Sequence, residues 1–353
     1  MTLDEVRNGL RAAENFVLFR LPNEGTGHCF TSDHVDIHDS FPTDFALLKE
    51  AFVMVPFSLK NHQILSISSE NSTIFKMDES SLPNLKEEKW TDTLPSEDYS
   101  AAFEKFVSAI RSGSFPKLVL SRSCSFPIQV KDPVLLFEKA CKAYPDAMVY
   151  LWHSPLSGDW LGASPELLLS GDDSQLRTVA LAGTARNEGE NVSSTMRIWG
   201  EKERLEQRLV ADYVRERISM FGTLKDEWGP YTVSAGHLSH LRNDFYFFMD
   251  EKDRMDFLSS LHPTPAVCGL PKEEAQRFIL ENEGYDREYY SGFMGWTDSS
   301  GKCNLYVNLR CMKFDEQMVR FFAGGGILAS SSLRSEWNET EEKMATMKRL
   351  ING

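Results

Sequence analysis

The 353-residue sequence predicts an α+β fold built on a largely antiparallel sheet. Two patterns carry that prediction. Strand-like runs and amphipathic helical stretches alternate irregularly, without the regular βαβ series of a doubly wound parallel sheet. The strand-like runs are also short and cut by polar turns. Composition sets the scale: 41% hydrophobic and 11% aromatic residues suffice for a large core and exclude a disordered or fibrous chain.

Taken in order, Met1 to Arg11 is acidic and basic by turns and lacks an apolar signal core, which reads as an unsecreted protein. Short strand runs follow at Phe16–Leu21 and Gln63–Ile67. Ser80 to Tyr99 is polar, charged and broken by Pro83 and Pro95, so it reads as a linker or long surface loop. This divides the chain into a strand-rich region, residues 1–94, integrated into the same fold, and a main region, 95–353. Within Tyr99–Arg111, Phe103, Phe106, Val107 and Ile110 recur at the spacing of an amphipathic helix. Lys117–Ser121 (KLVLS) is a compact β-prone run after Gly113 and Pro116. Further strands are expected at Met148–Trp152, Leu305–Leu309 and Val319–Phe322, and helices at Ser194–Phe221, Lys272–Asn282 and Ser332–Ile351.

The chain carries 38 basic and 52 acidic side chains, a formal net charge of −14. With no basic block it is ill suited to nucleic acid, which demands clustered Lys and Arg. No stretch approaches the ~18 uninterrupted apolar residues of a membrane-spanning helix. Six scattered cysteines without a Cys-x-x-Cys pair read as reduced structural thiols in a cytoplasmic protein, not as a zinc site. His237 and His240, three residues apart, could share a metal or be surface or packing residues.

Several residues could carry chemistry. On the C-terminal helix Glu336 and Glu339 are i, i+3 neighbours, with Lys343 one turn on; Glu203 and Glu206 repeat that spacing on an earlier helix. Two such helices facing each other could hold Mg²⁺, or each pair could be a solvated face. Lys117 opens an apolar strand. Desolvation disfavours an ammonium and makes a lysine a usable base, whereas a strand-edge lysine would simply reach solvent. Glu166 lies in Gly162–Leu168 (GASPELL), either a carboxylate kept protonated by apolar neighbours or a helix N-terminal Glu. Gly324–Gly325–Gly326 follows a strand and lets backbone N–H groups approach an anion, and Arg310 offers a fork for a carboxylate.

Together and in this order, KLVLSR, GASPELL, LAGTAR (181–186), the Glu203/Glu206 helix, LHPTPAVCGLP (261–271), YYSGFMGW (289–296), LYVNLR, AGGGI and EWNETEEK resemble the chorismate-utilising enzymes. The resemblance covers about residues 95–353. It implies large antiparallel β-sheets packed together and flanked by helices, with Mg²⁺ and chorismate in a cleft between them. It further implies Glu206 and Glu339 as Mg²⁺ ligands with Glu203 and Glu336 nearby. Tyr290, Arg310, the Gly324–Gly325 backbone and Lys343 fall around the substrate carboxylates, and Thr184 beside the ring. Lys117 takes the place of the base that activates water, and Glu166 that of the acid.

Within the family the resemblance is greatest to isochorismate synthase, serving menaquinone or siderophore synthesis. The branch that uses water resembles this chain in carrying the lysine of KLVLSR. Aminodeoxychorismate synthases carry a nucleophilic lysine in the loop that here holds Ala266, which argues against that activity. With water and not ammonia as the nucleophile, no amidotransferase subunit is expected, and a monomer is. Salicylate synthases share the Lys117 and Glu166 counterparts and are the alternative; a non-catalytic chorismate-binding relative is the third reading. The sequence departs from many relatives at Ser331–Ser332–Leu333, where they have Asp-Pro or Ser-Pro, and matches only loosely before residue 95.

Overall fold

The antiparallel sheet expected from the sequence is present twice. The computed structural model describes residues 1–10, 12–77, 94–186, 198–235 and 238–351. The first nine-stranded sheet contains β1 (Asn15–Arg20), β2 (Thr26–Ser32), β6 (Ser72–Lys76), β7 (Lys117–Phe126), β8 (Met148–His153), β9 (Asp159–Ser164), β14 (Gly269–Leu270), β17 (Cys311–Phe314) and β18 (Val319–Ile327), ordered β14-β7-β18-β17-β9-β8-β1-β2-β6. The second contains β3 (Asp36–His38), β4 (Ala51–Val55), β5 (Ile64–Ser68), β10 (Leu167–Gly171), β11 (Leu176–Arg186), β12 (Thr223–Ala235), β13 (Leu238–Phe248), β15 (Phe293–Thr297) and β16 (Cys303–Val307), ordered β12-β13-β11-β10-β16-β15-β4-β5-β3. Every described pairing between these strands is antiparallel.

Helices α1 (Leu3–Leu10), α2 (Glu97–Arg111), α3 (Pro133–Ala143), α4 (Glu201–Phe221), α5 (Arg254–Leu261), α6 (Lys272–Asn282) and α7 (Leu333–Ile351) cover the outer faces. An aromatic-rich core of Phe19, Phe52, Trp152, Trp160, Tyr290 and Phe322 joins side chains of both sheets. Separate clusters lie under α4 and α5, under α3 and α7, and where α2 and α6 meet β7. The period-2 alternation of β7 sorts its residues. Leu118 and Leu120 enter the α2/α6 cluster, which leaves Lys117 and Val119 for the opposite face. Strands from before residue 78 sit in both sheets. No helix among the described residues is long and apolar enough to cross a membrane.

Three local expectations are corrected. Gly324–Gly326 does not follow a strand but lies inside β18, whose neighbour β7 supplies the hydrogen bonds that hold three glycines extended. The GASPELL segment is the end of β9 and the start of β10, with only Pro165 and Glu166 at the corner, so Glu166 opens no helix. Helix α4 starts at Glu201 after an extended Gly200, later than Ser194; residues 194–197 lie outside the described residues. Most of the expected linker, residues 80–93, and His237 lie outside them as well.

Candidate active site

The site forms where β18 loses a neighbour. β18 pairs with β7 along its whole length but with β17 only through Val319–Phe321. Beyond that point one edge is open among the described residues, and the strand there carries glycine. Consecutive strand residues face opposite sides. A Cβ on Gly326 would overlap Glu206 Oε1 of α4, whereas one on Gly325 would press on Glu336 Oε2 and Glu339 Oε1 of α7, both at 3.3 Å. Carboxylates from two helices therefore close on one strand from its two faces, and the missing side chains make room for them.

Each carboxylate has its own lysine. Lys117, fully buried, lies 3.2 Å from Glu206 Oε1, an ion pair without hydrogen-bond alignment. Lys202, one helical turn before Glu206, donates to Glu336 Oε1 at 2.6 Å. Lys343 donates to Glu339 Oε1 at 2.7 Å and to the Gly324 carbonyl at 2.8 Å. Burial pushes Glu206 toward the neutral form, but Lys117, Lys343 and Lys202 hold it below the usual carboxylate range. Burial and the charge of Glu339 push Glu336 up to about 7 against the pull of Lys202, and its Oε2 has no partner.

Two further contacts set the helices. Gln207 Nε2 of α4 donates to Ala180 O and Asn243 Oδ1 of the second sheet, while Glu206 meets Gly326 of the first, so α4 contacts both sheets. It approaches β11 where Gly183 (φ 70°) forms a bulge; the Glu203 Cβ would come within 3.0 Å of any Cβ there. Glu203 itself turns its Oε2 back against Gly200. Arg122 of β7 fixes α7: it lies 3.7 Å over the Trp337 ring, donates to Thr340 Oγ1 and pairs with Glu341.

Among the described residues no three His, Cys, Asp or Glu side chains already stand as a metal-ligand cluster. The donor set nevertheless fits a hard divalent cation: oxygen ligands from two helices, one buried carboxylate oxygen without a partner, and glycine room between them. The lysines now occupy the positive side of that balance.

Glu166 lines the same cavity as Glu206 and is 4% exposed, its backbone N–H on Ser164 Oγ and its carbonyl accepting from Val307 N. Burial pushes it up to about 7, opposed by the more distant charges of Lys117, Lys343 and Arg310. Glu166, Thr184, Glu206, Tyr290, Arg310, Gly324 and Lys343 line one cavity of about 60 Å³. Gly325 faces the acidic pair, and Lys117 touches the cavity's wall at Gly326 and Glu206. Pro165, Leu181 and Arg310 also border a second chamber of about 550 Å³. Tyr290 stacks on Phe322 at 5.4 Å. Burial brings Arg310 down to about 10.

His240 also lines the cavity, its Nε2 3.2 Å from Arg310 Nη2. Sequence reading paired it with His237; the signal that would have placed it is its position on β13, directly opposite Thr184 of β11.

Residues 52–352 match the family described as chorismate binding enzymes. Isochorismate synthase EntC of Escherichia coli (strain K12) is 37% identical over 243 residues, 65% of this chain and 61% of that protein. Isochorismate synthase DhbC of Bacillus subtilis (strain 168) is 31% identical over 272 residues, 72% of this chain and 68% of that one. The match thus spans about three fifths to two thirds of these relatives. A solved structure described as a 2,3-dihydroxybenzoate-specific isochorismate synthase, DhbC from Bacillus anthracis, has a TM-score of 0.79 at 22% identity, covering 98% of this chain and 99% of that one. MenF, the menaquinone-specific isochorismate synthase of Escherichia coli, has a TM-score of 0.76 at 22% identity, covering 97% and 90%. These two share the fold. On the match of residues 52–352, this chain belongs to the chorismate binding enzyme family.

Proposed function

We propose that the protein is a Mg²⁺-dependent isochorismate synthase, an isomerase that converts chorismate to isochorismate by water attack at C2 and loss of the C4 hydroxyl. The observation that carries this reading is the placing of a wholly buried lysine, Lys117, and a carboxyl pushed up to about 7, Glu166, around one cavity. Glu206 and Glu339 would hold the cation, with Glu336 and Glu203 beside them. When bound, it supplies the positive charge that neutralises a substrate carboxylate in a chain of net charge −14.

The chain's own groups do the rest. Arg310 and Lys343 bind the remaining negative charge, with Tyr290 and the Gly324–Gly325 backbone beside it and Thr184 at the ring. Lys117, whose only ion pair among the described residues is with Glu206, would accept the proton of the attacking water as the general base. Glu166, protonated, gives its proton to the departing C4 hydroxyl as the ring double bonds shift. Burial favours the protonated form of Glu166 at the start of the cycle.

The names of the relatives support a product used for menaquinone or for a siderophore, and we place the enzyme in the cytoplasm as a monomer without an amidotransferase subunit. Purified protein incubated with chorismate and Mg²⁺ is expected to yield isochorismate on chromatography, reversibly stopped by EDTA. Salicylate with stoichiometric pyruvate would transfer the chain to the salicylate synthases, and unchanged chorismate would overturn an enzymatic reading.

A further inference from the structure

Two of the contacts of His240 together fix its chemistry. Its Nδ1 is 3.1 Å from Gly183 O and 3.4 Å from Thr184 Oγ1, and its Nε2 is 3.2 Å from Arg310 Nη2. A carbonyl only accepts hydrogen bonds and a guanidinium only donates them. The ring therefore carries its hydrogen on Nδ1, gives it to Gly183, and accepts from Arg310 through the Nε2 lone pair. The bulge at Gly183, which also admits α4, is what turns this carbonyl toward the ring.

Arg310 is held from a second side: Nη1 donates to Thr346 Oγ1 of α7 at 3.1 Å. Its backbone sits at φ 49°, a conformation few side chains tolerate, so neither end of the residue is free to drift. His240, Thr346 and Arg310 are each less than a tenth exposed. One N–H on each terminal nitrogen is thus committed to the protein, and the others remain for an anion in the cavity.

We infer that His240 is a positioning residue: its uncharged imidazole holds the Arg310 guanidinium in the orientation that receives a carboxylate of the substrate. The inference rests on reading the cavity as the chorismate site. It assigns His240 to substrate affinity, with no proton to give or take during turnover. Protonating Nε2 would set N–H against N–H and leave two cations in contact, so the clamp opens in acid. Among the described residues, the charged and titratable groups around the pair include Glu166 at the β9–β10 corner, Tyr290 before β15, Tyr144 after α3, Glu339 and Lys343 of α7, and Glu206 of α4. Glu166 titrates at about 7, so a wild-type profile does not separate the two groups, and a variant must.

His240→Ala and His240→Gln make that separation; the Gln Oε1 can accept from Arg310 but does not titrate. For His240→Ala, KM for chorismate is expected to rise about tenfold or more, with kcat within about threefold of wild type. For His240→Gln, KM stays near the wild-type value at pH 7.5, and the rise of KM toward acid disappears. An unchanged KM in the Ala variant, a loss confined to kcat, or an acid rise retained in the Gln variant would each overturn the inference. Nitrogen-15 NMR of the substrate-free protein tests the pairing without any reaction: Nε2 should resonate as the unprotonated nitrogen and Nδ1 as the protonated one. Wild-type turnover of chorismate tests the site reading independently, so a failure there is distinct from a reversed tautomer here.

Discussion

Glu166 and Glu206 are both buried carboxylates on the wall of one cavity, yet burial leads them to opposite states. Glu206 has the Lys117 ammonium at 3.2 Å and is held below the usual range; Glu166 feels Lys117, Lys343 and Arg310 only from a distance and is pushed up to about 7. Glu336 shows that a contact cation is not sufficient. Lys202 sits 2.6 Å away, but the like charge of Glu339 and full burial still push it up to about 7. The state of each carboxyl follows from its nearest charges, and the molecule obtains an acid and a ligand from the same residue type.

The sharpest way to break this comparison is to swap each group for its amide. Glu166→Gln is expected to lower kcat by about 10²- to 10⁴-fold, the range of a lost general acid, while Mg²⁺ still binds by calorimetry. Glu206→Gln should lose Mg²⁺ binding as well. Equal metal affinity in the two variants would erase the distinction between them.

Gly326→Ala tests whether the strand must be bare. Its Cβ would overlap Glu206 Oε1 and touch Lys117 Cε at 3.2 Å, so Glu206 must move. Activity should fall by about tenfold or more, with the thermal stabilisation by Mg²⁺ reduced, because loss of bound cation lowers the linked stability. Normal Mg²⁺ stabilisation in this variant would show that Glu206 is not a ligand.

The pH profile gives the smallest effect. The folded Glu166 pKa is raised, so its protonated form is complete well below about 7 and is lost as pH rises through that value. The fraction competent as acid then falls tenfold per unit, and kcat/KM should decline on the alkaline side of about 7. A profile still climbing at pH 9 would remove Glu166 as the proton donor.

Local structure was legible wherever one face of an element is apolar. The 3–4 spacing of Phe103, Phe106, Val107 and Ile110 matches the buried face of α2, and the run Met148–Trp152 matches β8. Glycine misled in the opposite sense: three in a row argue against a strand on propensity, yet tertiary pairing with β7 extends them. The i, i+3 spacing put Glu336 and Glu339 on one helix face with Lys343 one turn on, but gave no hint that Lys202 would take Glu336 or that Lys117 would take Glu206. Family resemblance supplied the residues to watch, and the geometry supplied their partners. The sequence offered His240 only beside His237, as a metal or packing residue, because nothing near it in sequence announces Arg310; the two meet through the second sheet and the turn after β16.

The register that sets Val119 beside Gly326 joins segments about 200 residues apart, and Lys117 meets Glu206 only after α4 has docked on both sheets. Such long-range closure is slow to form and all-or-none in character. No fragment holding just one of these segments contains a partial version of the catalytic apparatus. Chemical competence should therefore appear late in refolding, after most secondary structure, and turnover would serve as a reporter of completed topology.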